Sequence, residues 1–249
     1  MKYFLDTEFI EGSQKKIFFK SKPTIDLISI GMVDENGREF YAISKEFNLK
    51  EAWNRWQQRT GEGDINHIEP RLYWIRENVL HPIYKELHSK ENLQARQAFQ
   101  RCNIIVDESK YEFTYSEFKR LINKYGKTNK QIAAEIKTFV GTRISIGNWD
   151  IEFYAYYADY DWVVFCWLFG TMMNLPEGFP KYCRDLKQIF DQYVERNLGR
   201  WRDVDMNLDW EAYVKQCEGY PKQKNEHNAL ADAKWNLKLF EFLTKENAL

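Results

Sequence analysis

The sequence has no run of apolar residues approaching the ~18 needed to cross a bilayer. That excludes a membrane-spanning helix as the organising feature. Cysteine is scarce: Cys102, Cys166, Cys183 and Cys217 lie far apart, with no Cys-x-x-Cys pair. This spacing argues against a zinc site and against a disulfide framework, and leaves free thiols in a reducing compartment. An excess of charge of one sign is also missing, 36 Lys and Arg standing against 37 Asp and Glu. No bulk positive field of the kind that grips duplex DNA is therefore available. A nucleic-acid partner would have to be held by metal ions, local Lys and Arg, and stacking. The first residues carry charges inside an apolar strand, unlike a signal peptide. The expectation is a cytoplasmic protein with no membrane partner.

Apolar and aromatic residues are plentiful, at 44% and 16% of the chain, enough for a large core. At 249 residues the expected organisation is one domain, 1–249, with insertions at about 48–128 and 190–222.

Tyr3, Phe4 and Leu5 read as a strand buried on both faces. Asp6, Thr7 and Glu8 then interrupt the apolar run. Side chains two apart on a strand share a face, so Asp6 and Glu8 would stand side by side at the edge of a packed core. Two carboxylates placed there repel and lose hydration unless something positive joins them. A divalent cation, Mg2+ or Mn2+, suits all-oxygen ligands. The alternative is a strand that ends at Leu5, with both acids solvated.

Residues 14–22 form a basic stretch containing Phe18 and Phe19, read as a solvated loop or as an arm touching a phosphate backbone. Ile25–Val33 is a second strand. Asn36-Gly37 signals a hairpin into a third, Arg38–Ser44. The opening is thus an antiparallel meander with its first strand central. Helical patterns follow at Leu49–Gln58 and Leu72–Leu87, with Trp53, Trp56, Trp74, Leu80 and Ile83 on packed faces. Asn92–Tyr125 reads as an insertion of unassigned fold, and the glycines of 60–63 follow no strand and give only a weak phosphate signal. Asn129–Val140 is helical. Glu152–Ala158 reads as a fourth strand. It delivers Asp161 to the start of a helix over Trp162–Met173, at the strand end where sites in such sheets occur. Tyr182–Leu186 is a short fifth strand, followed by a helix over Lys187–Val194. His227 precedes a last helix reaching about Thr244, with Leu230, Ala233, Leu237 and Phe240 as its apolar stripe.

His227 and Asp232 are five residues apart, which on a helix would set them about 140° apart. They can act together if His227 lies on the loop before the helix and Asp232 projects from its first turns.

Phe4-Leu5-Asp6-Thr7-Glu8-Phe9, Tyr160-Asp161 and His227-Asn228-Ala229-Leu230-Ala231-Asp232 resemble, in order, the three motifs of the DEDDh, DnaQ-like 3′→5′ exonucleases. The resemblance extends to small bacterial and phage single-domain exoribonucleases through Trp74–Leu80, Tyr154–Asp161 and Leu175–Lys187. The resemblance implies an α/β, RNase H-like fold. Its five-stranded mixed sheet has an antiparallel meander of strands 1–3 plus parallel strands 4 and 5. Helices flank that sheet, and a largely helical insertion is added. The resemblance also implies two divalent cations, Mg2+ or Mn2+, on Asp6, Glu8, Asp161 and Asp232, with His227 as general base. Asp161 is preferred to Asp159 because the family sets its acid directly before the helix. Thr7 and Phe9 are implied as substrate-binding positions, Phe9 stacking on a terminal base or packing in the core. The implied partner is the 3′ end of single-stranded RNA, or of DNA, and such proteins often form homodimers. A DNA proofreading or repair exonuclease is the rival enzyme. A nucleic-acid-binding protein without chemistry is the rival from another class.

Overall fold

The structure, a computed structural model, describes residues 1–13, 23–56, 72–99, 112–141, 150–198 and 209–245. The basic stretch of 14–22, the glycines of 60–63 and Cys102 lie outside the described residues. The chain falls into two compact units. Met1–Phe9, Ser29–Ala42 and Asn129–Leu249 form one, and Ile10–Ile28 and Ile43–Thr128 the other.

In chain order the strands and α-helices are β1 (Lys2–Ser13), β2 (Pro23–Asp34), β3 (Glu39–Ile43), α1 (Leu49–Asn54), α2 (His81–Phe99), α3 (Tyr115–Tyr125), α4 (Asn129–Val140), β4 (Glu152–Ala155), α5 (Ala158–Leu168), β5 (Arg184–Asp185), α6 (Leu186–Leu198), α7 (Trp210–Val214) and α8 (Ala229–Lys245). The sheet order is β3-β2-β1-β4-β5, antiparallel in its first three strands and parallel beyond. This is the mixed α/β sheet expected, consistent with an RNase H-like fold. Lys2, Tyr3 and Phe4 stand opposite Glu152, Phe153 and Tyr154, and Tyr154 and Ala155 opposite Arg184 and Asp185. Gly37 closes the β2–β3 hairpin at φ 82, a left-handed conformation that glycine adopts without steric cost.

Alternation along β1 and β4 sorts the core onto two faces. On one face Phe4 stacks on Tyr154, and Phe240 of α8 packs against both rings. Leu186, Phe190, Ala233 and Leu239 belong to the same cluster. On the other face Tyr3 meets Phe139 and Phe153, and Phe153 meets Phe165 and Phe179. Helices therefore cover both sides of the two central strands, which is why Tyr3, Phe4 and Leu5 form an unbroken apolar run. All three are fully buried.

In the second unit, Trp53 packs against Phe113 at 4.7 Å between ring centroids, and the Arg76 guanidinium lies 3.8 Å over the Tyr73 ring. A π-helical turn, Arg76–Leu80, leads directly into α2. The stretch of unassigned fold contains the end of α2 and all of α3. Trp56, expected on a packed helix face, is 48% exposed because α1 ends at Asn54.

Several boundaries beyond β3 differ from the sequence reading, among them the end of α5 at Leu168 instead of Met173. β4 stops at Ala155 rather than Ala158, because Tyr157 takes a left-handed conformation (φ 56, ψ 53) and turns the chain into α5. α5 consequently begins at Ala158, and Asp161 lies within its first turn instead of ahead of it. β5 is only Arg184–Asp185, and α6 runs on to Leu198. Among the described residues no helix is long and apolar enough to cross a membrane.

Candidate active site

β1 does not end at Leu5. It continues through the acids to Ser13, so alternation governs where they point. Asp6 and Glu8 share the face of Phe4, toward α8. Thr7 and Phe9 share the face of Tyr3, toward α5. Asp232 stands in the first turn of α8, and carboxylate oxygens of Asp6, Glu8 and Asp232 lie within 4.8 Å of one another. Asp232 is distant in sequence from Asp6 and Glu8 and stands beside them only because α8 lies across β1.

Asp161 reaches the same cavity from the α5 side. The Thr7 backbone N–H donates to its Oδ1 at 2.8 Å and the Thr7 hydroxyl to the same oxygen at 2.5 Å. Thr7 itself is buried. Its place in β1 therefore aims one acid of the group rather than merely separating two others. Asp159 is exposed and does not line this cavity, whereas Asp161 is buried and does.

His227 lies on the loop before α8 at φ 65, which frees it from the 140° separation a helix would impose. Its backbone N–H donates to Asp232 Oδ2 at 2.9 Å, and Gln223 Nε2 donates to Asp232 Oδ1 at 2.7 Å. The Trp235 indole donates to the Pro221 carbonyl at 2.9 Å and pins the approach to this loop. All five acid and histidine positions named from sequence line one cavity of about 320 Å³, with Thr7, Phe9, Tyr156, Tyr157 and Tyr160. Phe9 is half-buried and stacks on Tyr160 at 5.6 Å between centroids.

The electrostatics follow from burial and crowding of like charge. Burial, then the charges of Asp161, Glu8 and Asp232, hold the Asp6 carboxyl well above the ordinary carboxylate range. Burial, then Asp232 and Asp161, push Glu8 up to about 8. Asp161 rises to about 7 through burial, against the two Thr7 hydrogen bonds and with Asp185 and Asp232 adding to the rise. Asp232 is raised by burial, opposed by the donors from Gln223 and His227. Acids in such a group either retain protons near neutral pH or share positive charge. An all-oxygen set of this composition fits a hard divalent cation.

Besides Gln223, sequence reasoning missed two positions at which α8 meets the sheet beside this cavity. Gly31, in the middle of β2, is where the start of α8 touches the sheet. A Cβ there would sit 2.3 Å from the carbonyl carbon and oxygen of Ala229 and from the backbone nitrogen of Leu230. A glycine inside a strand is a signal of close backbone approach. Asn236, one turn beyond Asp232, is a buried amide that donates to the Leu5 carbonyl. Its signal was a polar residue within the apolar stripe of the last helix.

No protein-family profile matches the chain. Two curated proteins from two strains of Mycobacterium tuberculosis, each named 3′-5′ exoribonuclease, are 28% identical to it over 245 residues, covering 98% of this chain and 94% of theirs.

Proposed function

We propose that this chain is a 3′→5′ exoribonuclease that removes nucleotides from single-stranded RNA with the aid of two divalent cations, Mg2+ or Mn2+. The observation that carries this reading is the convergence of Asp6, Glu8 and Asp232, with Asp161 in the same cavity, beside a loop histidine. The name borne by the two mycobacterial relatives supports the same activity.

Asp6, Glu8, Asp161 and Asp232 would hold the cations, and the raised proton affinity of these acids is the electrostatic reason to expect positive charge among them. Cations bound there would supply Lewis acidity toward the scissile phosphate and toward an attacking water. The remaining work belongs to side chains. The His227 imidazole accepts a proton from the attacking water as general base. Its left-handed backbone holds it outside the helix, where the ring can meet solvent on one side and the cavity on the other. Thr7 fixes the Asp161 carboxylate through two donors, so that this acid does not swing out of the group. Phe9 and Tyr160 offer stacked rings at the cavity wall, an apolar platform for a terminal base.

The test is digestion of a 5′-labelled single-stranded RNA with Mn2+ or Mg2+, beside DNA of matched sequence. A descending ladder on RNA that EDTA stops is the expected outcome. Faster loss of DNA than of RNA would favour the proofreading or repair reading, and inertness toward both would end the enzyme reading.

A further inference from the structure

The buried face of α8 is apolar at Ala229, Ala233, Leu239 and Leu243, and Asn236 interrupts it. Asn236 is 1% exposed, yet it lines the cavity of the acids. Its Nδ2 donates to the Leu5 carbonyl at 2.9 Å. That oxygen can only accept, so the orientation of the amide is fixed by chemistry. Leu5 directly precedes Asp6 and lies just past the last registered pair of β1 with β4, Phe4 with Tyr154.

A leucine at this position would satisfy a demand for burial alone. Apolar contact is non-directional and lets a helix slide by fractions of an ångström. A hydrogen bond at 2.9 Å does not. α8 is thus fixed to the sheet at two points, Ala229–Leu230 over Gly31 and Asn236 on Leu5. Asp232 stands between them along the helix.

We propose that Asn236 is a positioning residue: its amide clasp on β1 sets the separation of Asp232 from Asp6 and Glu8, and thereby the affinity of these acids for a divalent cation. The inference rests on the cation reading of the acid group proposed above. It assigns to Asn236 no contact with the RNA.

The test is Mn2+ binding by calorimetry to the whole chain and to two variants, Asn236→Leu, which keeps the branched shape without the donor, and Asn236→Ala, which makes no steric demand. Loss of a partner that orients metal ligands typically costs 10–100-fold in metal affinity, and a weakening of about that size is expected in both variants. The Mn2+ concentration for half-maximal RNA hydrolysis should rise in parallel, while the KM for RNA at saturating Mn2+ stays the same. A brace that merely stabilises the fold would lower the thermal midpoint and leave Mn2+ affinity untouched. Variants that fold and bind Mn2+ within about 3-fold of wild type therefore overturn the inference alone, well short of the loss expected for such a partner. Wild-type protein that takes up no Mn2+ overturns the cation reading and this inference with it.

Discussion

Gly31→Ala tests whether the placement of α8 is what assembles the acids. The added Cβ would lie 2.3 Å from three backbone atoms of Ala229 and Leu230, whereas ordinary contact begins at 3.4 Å. Backbone atoms cannot rotate away as a side-chain tip can, so the start of α8 must retreat by roughly 1 Å, or β2 must buckle by as much. Such overpacking costs about 1–3 kcal/mol. For a chain of this size each kcal/mol lowers the thermal midpoint by about 2–4 °C, so a fall of roughly 2–12 °C is expected. The functional cost is larger than the stability cost. The displaced residues lie between His227 and Asp232, and a misplacement of about 1 Å costs on the order of 100-fold in rate. The assay is kcat on 5′-labelled RNA, measured well below the midpoint of the variant. Gly37→Ala is the control. Gly37 has positive φ but nothing within 4 Å of the added Cβ. It should lose about 1 kcal/mol of stability through backbone strain and keep wild-type kcat. If Gly31→Ala keeps both the midpoint and kcat of wild type, α8 is not held to the sheet at this point and the reasoning fails.

The same geometry governs the response to pH, to the base and to Thr7. Glu8 and Asp161 have folded-state pKa values raised to about 8 and about 7, so the metal-free folded protein binds protons there that the unfolded chain releases. Their contribution is fully present below the unfolded carboxylate range near pH 4 and is lost as pH rises through 7 and 8. The metal-free midpoint should therefore fall between pH 5.5 and 8.5 on thermal scans, less steeply in Glu8→Gln, and saturating Mn2+ should flatten the slope. An identical slope in wild type and Glu8→Gln would contradict the assignment of this charge to the cavity. His227→Ala should reduce kcat by about 10²–10⁴-fold, the usual worth of a general base, with Mn2+ affinity by calorimetry unchanged. A large loss of Mn2+ affinity would make His227 a ligand instead. Thr7→Val removes one of two donors to Asp161 and should lower kcat by roughly 10–100-fold, consistent with the ~1.5–3 kcal/mol of a hydrogen bond to a charged group. Far-ultraviolet circular dichroism should stay that of wild type, and an unaltered kcat would show that the backbone donor suffices.

Much of this arrangement is legible in the residues because it depends on local periodicity. The alternation of Tyr3 through Phe9 predicts which acids share a face once the strand is read through them, as β1 runs. α4 begins and ends where the Asn129–Val140 pattern does, since its stripe of Ile132, Ile136 and Val140 is buried. A loop position for His227 follows from its spacing to Asp232 once the two are taken to act together, since one helix face could not carry both. Features that depend on distant backbone are not legible in the same way. The aromatic run through Tyr157 has strand propensity to its end, and only the left-handed turn, where the Tyr157 N–H donates to Asp185 Oδ1 at 3.1 Å, stops it. Asp185 is remote in sequence from that turn. The clasp of Asn236 on Leu5 spans 231 residues, and the contact of Gly31 with Ala229 is nearly as remote. The sequence carries both residues but not the partner that makes either meaningful.

The central claim is that acids drawn together by β1, α5 and α8 remove nucleotides from a 3′ end. It is tested most directly by comparing wild type with Asp6→Asn on two copies of one RNA, labelled at the 5′ or the 3′ end, with Mn2+ present. Wild type should shorten the 5′-labelled strand stepwise and release the 3′ label at once as a mononucleotide, while folded Asp6→Asn leaves both strands intact. Equal activity in the two proteins, or release of the 5′ label first, would contradict the account.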